Sequence, residues 1–195
     1  MKWDGFRLLG YATADGRSRL LSRRGTDLTA AFPQVAQALA AVGEDLILDG
    51  ELVIYDAGRI DFGALQRRWN RTAAVARHLA AEKPPYFVVF DLLQRGSHHL
   101  LTEPYRTRRT ALEALFAEHV LGPPWMLCPS STDPAQAWEW MTHWSAIGIE
   151  GVMAKGAGQR YQPGRRGWYK IKTTDTTEAI IGAITGTVRR PQTLI

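Results

Sequence analysis

Apolar residues recur along this chain in two rhythms, and most stretches keep to one of them. Phe6 to Thr13 is apolar and strand-like, Ala14-Asp15-Gly16-Arg17 is a turn, and Ser18 to Ser22 returns, which predicts an opening β-hairpin. Phe32, Val35, Leu39 and Val42 then fall at helical spacing, with Pro33 near the start and Gly43 at the end. Leu46 to Tyr55 alternates around Asp49-Gly50-Glu51, a strand with an acid in its middle that closes at Asp56-Ala57-Gly58-Arg59. Phe62 to Asn70 and Thr72 to Glu82 read as helices, and Tyr86 to Leu93, after Pro84-Pro85, as a buried strand.

The second half continues in the same irregular mixture. Tyr105 to His119 is helical through Leu112, Leu115 and Phe116, with Arg106, Arg108 and Arg109 as a basic first part. Asp133 to Ile147 reads as an aromatic-rich helix capped at Asp133-Pro134. Gly151 to Lys155, Tyr169 to Lys172 and Ala179 to Ile184 read as strands, and the Arg- and Gly-rich stretch Arg160 to Gly167 as a mobile loop. Strands mixed irregularly with helices predict an α+β domain rather than regular βαβ winding. After Thr174 the composition shifts, so a second module is expected to begin there.

Charge changes this picture. The net charge is +5 and the pI about 9.6, which suits a polyanionic partner such as nucleic acid. The cations are 19 Arg and only 5 Lys, namely Lys2, Lys83, Lys155, Lys170 and Lys172. Where a generic surface cation suffices the chain uses Arg, so either lysine survives mainly where an amine that can lose a proton would matter, or its scarcity is chance. Cys128 is the only cysteine, which excludes an intrachain disulfide and argues against cysteine-bound zinc. No apolar run reaches membrane-span length, and no signal-peptide layout opens the chain, so a cytoplasmic setting is expected.

Six short stretches could carry chemistry, and each also has a plain structural reading. Lys2-Trp3-Asp4-Gly5-Phe6-Arg7 sets a lysine before a strand, with a glycine that would let backbone approach a ligand; a charged terminus is the plain reading. Ser22-Arg23-Arg24-Gly25 puts cations at the same rim or is a solvated turn. Glu51, inside an apolar strand, needs a cation, a metal or donors, and a structural ion pair serves as well as a ligand. Phe90, in Val88-Val89-Phe90-Asp91-Leu92-Leu93, reads alone as core. Glu150-Gly151-Val152-Met153-Ala154-Lys155 places an acid and a lysine at opposite ends of a strand. In Trp168-Tyr169-Lys170-Ile171-Lys172 alternation sets both lysines on one face, which is costly unless an anion lies between them or water screens them.

Taken in order, the six stretches resemble the motifs of the covalent nucleotidyltransferase superfamily, and most closely those of ATP-dependent DNA ligases of the bacterial type. The resemblance covers nearly the whole chain. It implies a nucleotidyltransferase (ATP-grasp-like) domain of antiparallel sheets flanked by helices over residues 1–176, with residues 177–195 as linker and first strand of an OB-fold. It implies lysyl-AMP formation at Lys2, transfer of AMP to the 5′-phosphate of nicked double-stranded DNA, and sealing by the neighbouring 3′-hydroxyl. Nearby cations would lower the pKa of the attacking lysine. In this reading Lys170 and Lys172 hold the α-phosphate, Arg7 and Arg23 contact phosphate or the nick, and Glu51 holds the ribose or orients the site. Phe90 stacks on adenine, Lys155 joins the ATP/AMP site, and Glu150, with Glu51, binds Mg²⁺ or Mn²⁺.

Two departures from the family pattern shape the expectations. Only Met1 precedes the lysine motif, where the family has residues that help recognise adenine. The family's basic OB-fold motif is missing beyond Arg189-Arg190-Pro191, so a fragment, or a gene with a misplaced start and an early end, is expected, acting as a cytoplasmic monomer on DNA at the nucleoid. Rival readings are an RNA ligase, a capping-type guanylyltransferase, or a non-catalytic DNA-binding fragment.

Overall fold

The computed structural model describes residues 1–69, 71, 73–165, 167–172, 184–187 and 190–194. A seven-stranded sheet carries the main core. Its central strands β2 (Phe6–Ala12), β3 (Ser18–Ser22), β4 (Leu46–Asp56) and β6 (Pro85–Arg95) run in the order β3-β2-β4-β6 and continue to β7 (His98–His99). Two short strands join them: β5 (Arg59–Ile60) pairs with β4, and β8 (Trp125–Leu127) runs parallel to β6. A second sheet has three strands in the order β1 (Lys2–Trp3), β9 (Ile149–Ala154), β10 (Tyr169–Lys172). The helices are α1 (Pro33–Ala40), α2 (Phe62–Arg68), α3 (Ala73–Glu82), α4 (Tyr105–Glu118) and α5 (Pro134–His143).

Alternation along β4 explains how the layers form. Leu46, Leu48, Leu52 and Ile54 enter one core with Leu39 of α1, Leu65 of α2, and Leu112 and Leu115 of α4. Val53, on the opposite face, enters a second core with Val88, Trp3, Ile149, Val152 and Met141 of α5. That second face also carries Asp49 and Glu51, so the period of two that fills the first core sends two acids the other way. The chain passes from the small sheet to the large one at Asp4-Gly5, between β1 and β2.

The strand and helix expectations hold over most of the chain, with differences at the edges. The first strand is two-part: Lys2 and Trp3 belong to the small sheet, and only Phe6 starts the large one. The helix expected from Asp133 to Ile147 ends at His143, and Ser145–Ile147 tightens into a 3₁₀ turn closed by Gly148 at φ 92°. Asp133 is its N-cap and accepts from the Ala135 N–H at 2.9 Å. Residues 160–165 and 167 hold no helix or strand. The strand expected over Ala179 to Ile184 lies outside the described residues except Ile184, which opens a hairpin of β11 (Ile184–Thr187) with β12 (Arg190–Leu194). Among the described residues no helix is long and apolar enough to cross a membrane.

Candidate active site

A cleft of about 840 Å³ gathers residues from both sheets, including Lys2, Arg7, Arg23, Glu51, Phe90, Lys155 and Lys170. Glu150 and Lys172 join it through ion pairs: Glu150 accepts from Lys2 and, at 3.0 Å, from Lys172. Every candidate residue read from the sequence therefore lies in one neighbourhood. Arg23 and Lys170 are exposed at its rim.

Strand register explains the convergence on Glu150. Lys2 of β1 and Lys172 of β10 are both the partners of Gly151, one on each side of β9. Trp3 pairs with Ile149 rather than Glu150, so β9 carries one extra residue against β1. That bulge turns Glu150 and Gly151 to the same face as Lys2, Lys170 and Lys172, while Trp3, Ile149 and Val152 stay on the core face. Gly151 permits it. Its φ is 144°, and a Cβ there would lie 2.1 Å from the Ile171 carbonyl oxygen. The two lysines hold the Glu150 carboxyl below its ordinary range, Lys2 first and Lys172 second.

Gly5 is also required, by the packing of the two sheets. A Cβ there would sit 2.3 Å from the Leu52 carbonyl oxygen, so the close neighbour is strand β4. The glycine lets the chain change sheets directly beside Lys2.

The opposite wall comes from β2, β4 and β6. Arg7 is the register partner of Glu51 but reaches the diagonal acid, Asp49, with Nε at 2.7 Å and Nη2 at 2.5 Å. Its guanidinium lies 5.0 Å from the centre of Phe90 and 5.2 Å from that of Trp168. Burial opposes the charge on Arg7, but the bond to Asp49 outweighs it and holds its pKa above the ordinary value. A bulge in β6 leaves Phe90 as the extra residue between Val89, opposite Gly50, and Asp91, opposite Asp49. Lys155 is almost enclosed between Trp168 at 3.9 Å and Phe90 and Tyr105 at 4.6 Å, and donates to the Phe90 carbonyl at 3.2 Å. Burial lowers its pKa to about 8.

Glu51 is the least satisfied acid of the site. Among the described residues no hydrogen bond or ion pair reaches its carboxylate, and burial raises its pKa from 4.5 to about 7 despite Arg7 and Lys2. A divalent cation suits this donor set. Mg²⁺ takes oxygen ligands from one or two carboxylates and fills its shell with phosphates and water. Glu51 and Glu150 would supply those carboxylates, while no cluster of three or more His, Cys, Asp or Glu among the described residues could hold a metal unaided.

The Glu51 shift has a measurable sign. A raised folded-state pKa gives a contribution that is full below 4.5 and lost as pH rises through about 7. Above pH 7 the ionised carboxylate therefore costs the fold about 1–3 kcal/mol. Glu51→Gln should raise Tm at pH 8 by roughly 3–10 °C, with most of the gain gone at pH 5. Thermal melts at both pH values check this; an equal gain at both, or a loss at pH 8, refutes the buried-carboxylate account.

The structure also shows residues the sequence reading passed over. Asp91 and Arg108, both fully buried, pair through two bonds at 2.8 and 3.0 Å, and Lys155 lies 4.0 Å from the same carboxylate. Tyr161, in the loop between β9 and β10, donates to Asp49 at 2.7 Å. Trp168 contacts both Arg7 and Lys155. Arg108 had a signal, since it falls on the same helical stripe as Leu112 and Leu115. For Tyr161 no local pattern points 112 residues back to Asp49.

Comparison with known proteins places this geometry. A family model described as ATP dependent DNA ligase domain matches residues 1–172. DNA ligase C2 of Mycolicibacterium smegmatis is 36% identical over 182 residues, covering 92% of this chain and 50% of the relative. The multifunctional non-homologous end joining DNA repair protein LigD of Mycobacterium tuberculosis is 39% identical over 189 residues, covering 93% of this chain and 22% of the relative. A solved mycobacterial DNA ligase D, complexed with ATP and MES, superposes with a TM-score of 0.68 at 35% identity, over 87% of this chain and 52% of that one. The chain spans about half or less of the length of these relatives.

Proposed function

The chain belongs to the ATP-dependent DNA ligase domain family, and from that premise we propose that it is the adenylation unit of an enzyme that seals nicks in double-stranded DNA. The observation that carries this reading is the row Lys2, Gly151, Lys172, with Glu150 between the two amines, beside a cleft whose other wall holds Arg7, Glu51 and Phe90. The ATP complex of the similar mycobacterial ligase D supports ATP as the nucleotide. The end-joining repair named for LigD supports strand-break repair as the setting. Residues 1–176 would form the adenylation unit and 177–195 the opening of an OB-fold.

Lys2 Nζ, released from Glu150 and deprotonated, forms a bond to the α-phosphorus of ATP as the bond to pyrophosphate breaks. A 5′-phosphate oxygen at the nick then takes the AMP, breaking the N–P bond. The neighbouring 3′-hydroxyl attacks that 5′-phosphorus and expels AMP. Lys170 and Lys172 face the α-phosphate and offset charge that develops on it. Arg7 spends Nε and Nη2 on Asp49, which leaves Nη1 for phosphate. Arg23 meets phosphate at the rim. Phe90 stacks on the base, with Lys155 beside it. Mg²⁺ or Mn²⁺, held by Glu150 and Glu51, would screen the phosphates when bound.

The test incubates the protein with α-labelled ATP, Mg²⁺ and nicked duplex DNA. Label should enter the protein first and the 5′ end of the nick second, with GTP and nicked RNA as poorer substrates. Lys170→Ala and Lys172→Ala should each slow labelling by roughly 10²–10³, the scale of one lost charge-stabilising donor. An unlabelled protein, or full labelling in both variants, would overturn the assignment.

A further inference from the structure

The proposed chemistry gives no task to the contact of Tyr161 with Asp49, which lies behind Arg7 of the cleft wall. Tyr161 lies in the loop that joins β9 to β10, the strands of Glu150 and of Lys170 and Lys172. Its backbone N–H donates to the Leu101 carbonyl at 3.0 Å, which anchors the loop beside the large sheet. Its ring meets Trp168 edge-on at 6.0 Å and packs under Arg108 at 5.7 Å. Its hydroxyl donates to Asp49 Oδ2 at 2.7 Å, the oxygen that also accepts from Arg7 Nη2. Asp49 is fully buried and sits in the large sheet, so the loop of one sheet ends on an acid of the other.

We propose that Tyr161 is a positioning residue that sets the guanidinium of Arg7 by pinning the carboxylate of Asp49. The two-point pair fixes the Arg7 and Asp49 planes relative to each other, but a carboxylate torsion is broad and two-fold, so the two could still swing together. A second donor on Oδ2, held by a ring wedged between Trp168 and Arg108, stops that swing. The free edge of Arg7 then points at one place in the cleft. The same contact ties the loop that leads into Lys170 and Lys172 to that guanidinium, so cations from the two sheets keep a common geometry around a phosphate.

The proposal rests on the adenylation reading for its substrate, ATP, and the experiment keeps the two separable. Tyr161→Phe removes only the hydroxyl and keeps the packed ring. Labelling by α-labelled ATP is followed against ATP concentration, alongside Tm. The half-saturating ATP concentration should rise about tenfold, the scale of one hydrogen bond to a charged group, with maximal rate changed less than about twofold and Tm lowered by about 3–6 °C, the stability share of the same bond. In an Arg7→Lys background, which keeps a cation on Asp49, Tyr161→Phe should shift half-saturation less than about twofold, because the fork it positions is gone. An unchanged half-saturation, an equal shift in both backgrounds, or a loss of rate in step with Tm each overturns the role. ATP binding followed by tryptophan fluorescence is measured in the same preparations. There the tenfold weakening is expected whether or not label is transferred, so an unlabelled wild type would sink the adenylation reading alone.

Discussion

Lys2→Ala should take up no AMP at all. The loss expected is at least about 10⁴-fold in labelling rate, the scale seen when a nucleophile is removed from a site that otherwise remains. Lys2→Arg should be as inactive, although it keeps the charge and can still pair with Glu150. A guanidinium holds its proton at any working pH and has no lone pair to offer phosphorus. This second variant separates nucleophile from counter-ion, since a lysine needed only to neutralise Glu150 would be replaced well by arginine. The competitor within the cleft is Lys155, whose pKa of about 8 makes it the more readily deprotonated amine than a solvated lysine. It is also the more enclosed, with Asp91 4.0 Å away and aromatic rings around it. Peptide mapping of the labelled protein decides between them: AMP on Lys155, with Lys2→Ala labelled normally, would end the assignment.

The largest effect on stability should come from Arg108. Its side chain and that of Asp91 are both fully buried, and each satisfies the other through two hydrogen bonds. Arg108 also donates to the Glu103 carbonyl at 2.6 Å, which ties the start of α4 to the loop before it. Arg108→Met leaves a buried carboxylate with the Leu92 N–H at 3.1 Å and Lys155 4.0 Å away in place of its guanidinium, and breaking a buried pair from one side costs about 3–5 kcal/mol. That is a large share of a typical domain's 5–15 kcal/mol. Adding Asp91→Leu should recover most of the loss, because an apolar pair of similar volume removes the stranded charge. Urea unfolding followed by circular dichroism measures both. A single variant that loses under about 1 kcal/mol, or a double variant no better than the single, would show that the pair does not hold α4 to β6 in this way.

Much of this was legible in the chain because local rhythm reports local burial. Leu46, Leu48, Leu52 and Ile54 announced a strand with one core face, and Phe32, Val35 and Leu39 announced α1. The residues that meet at the cleft were legible through motif order, which works across any distance in sequence. What stayed hidden was the pairing of polar groups through space. Arg108 read as part of a basic helix start, yet it lies under the stripe of Leu112 and Leu115 because an acid from β6 waits there. Arg68 is similar: buried on α2, it donates to the Leu79 and Lys83 carbonyls and lies over Phe32. Period-two alternation would also have sent Glu150 away from Lys2. Only the register against β1 shows the extra residue that turns it back, and register depends on a partner strand that the local pattern cannot see.

The pairing of Lys2 with Glu150 joins residues 148 positions apart, which ties the chemistry to the order of synthesis. In a chain emerging from the ribosome Lys2 would appear well before Glu150 and Lys172 are made. Closing so long a loop is entropically slow and is rewarded only when β9 and β10 are both in place. The lysine therefore spends translation as an ordinary amine and gains its setting last. Nucleotide could not be loaded onto a half-made protein, and each ATP spent by this site would be spent by a finished fold.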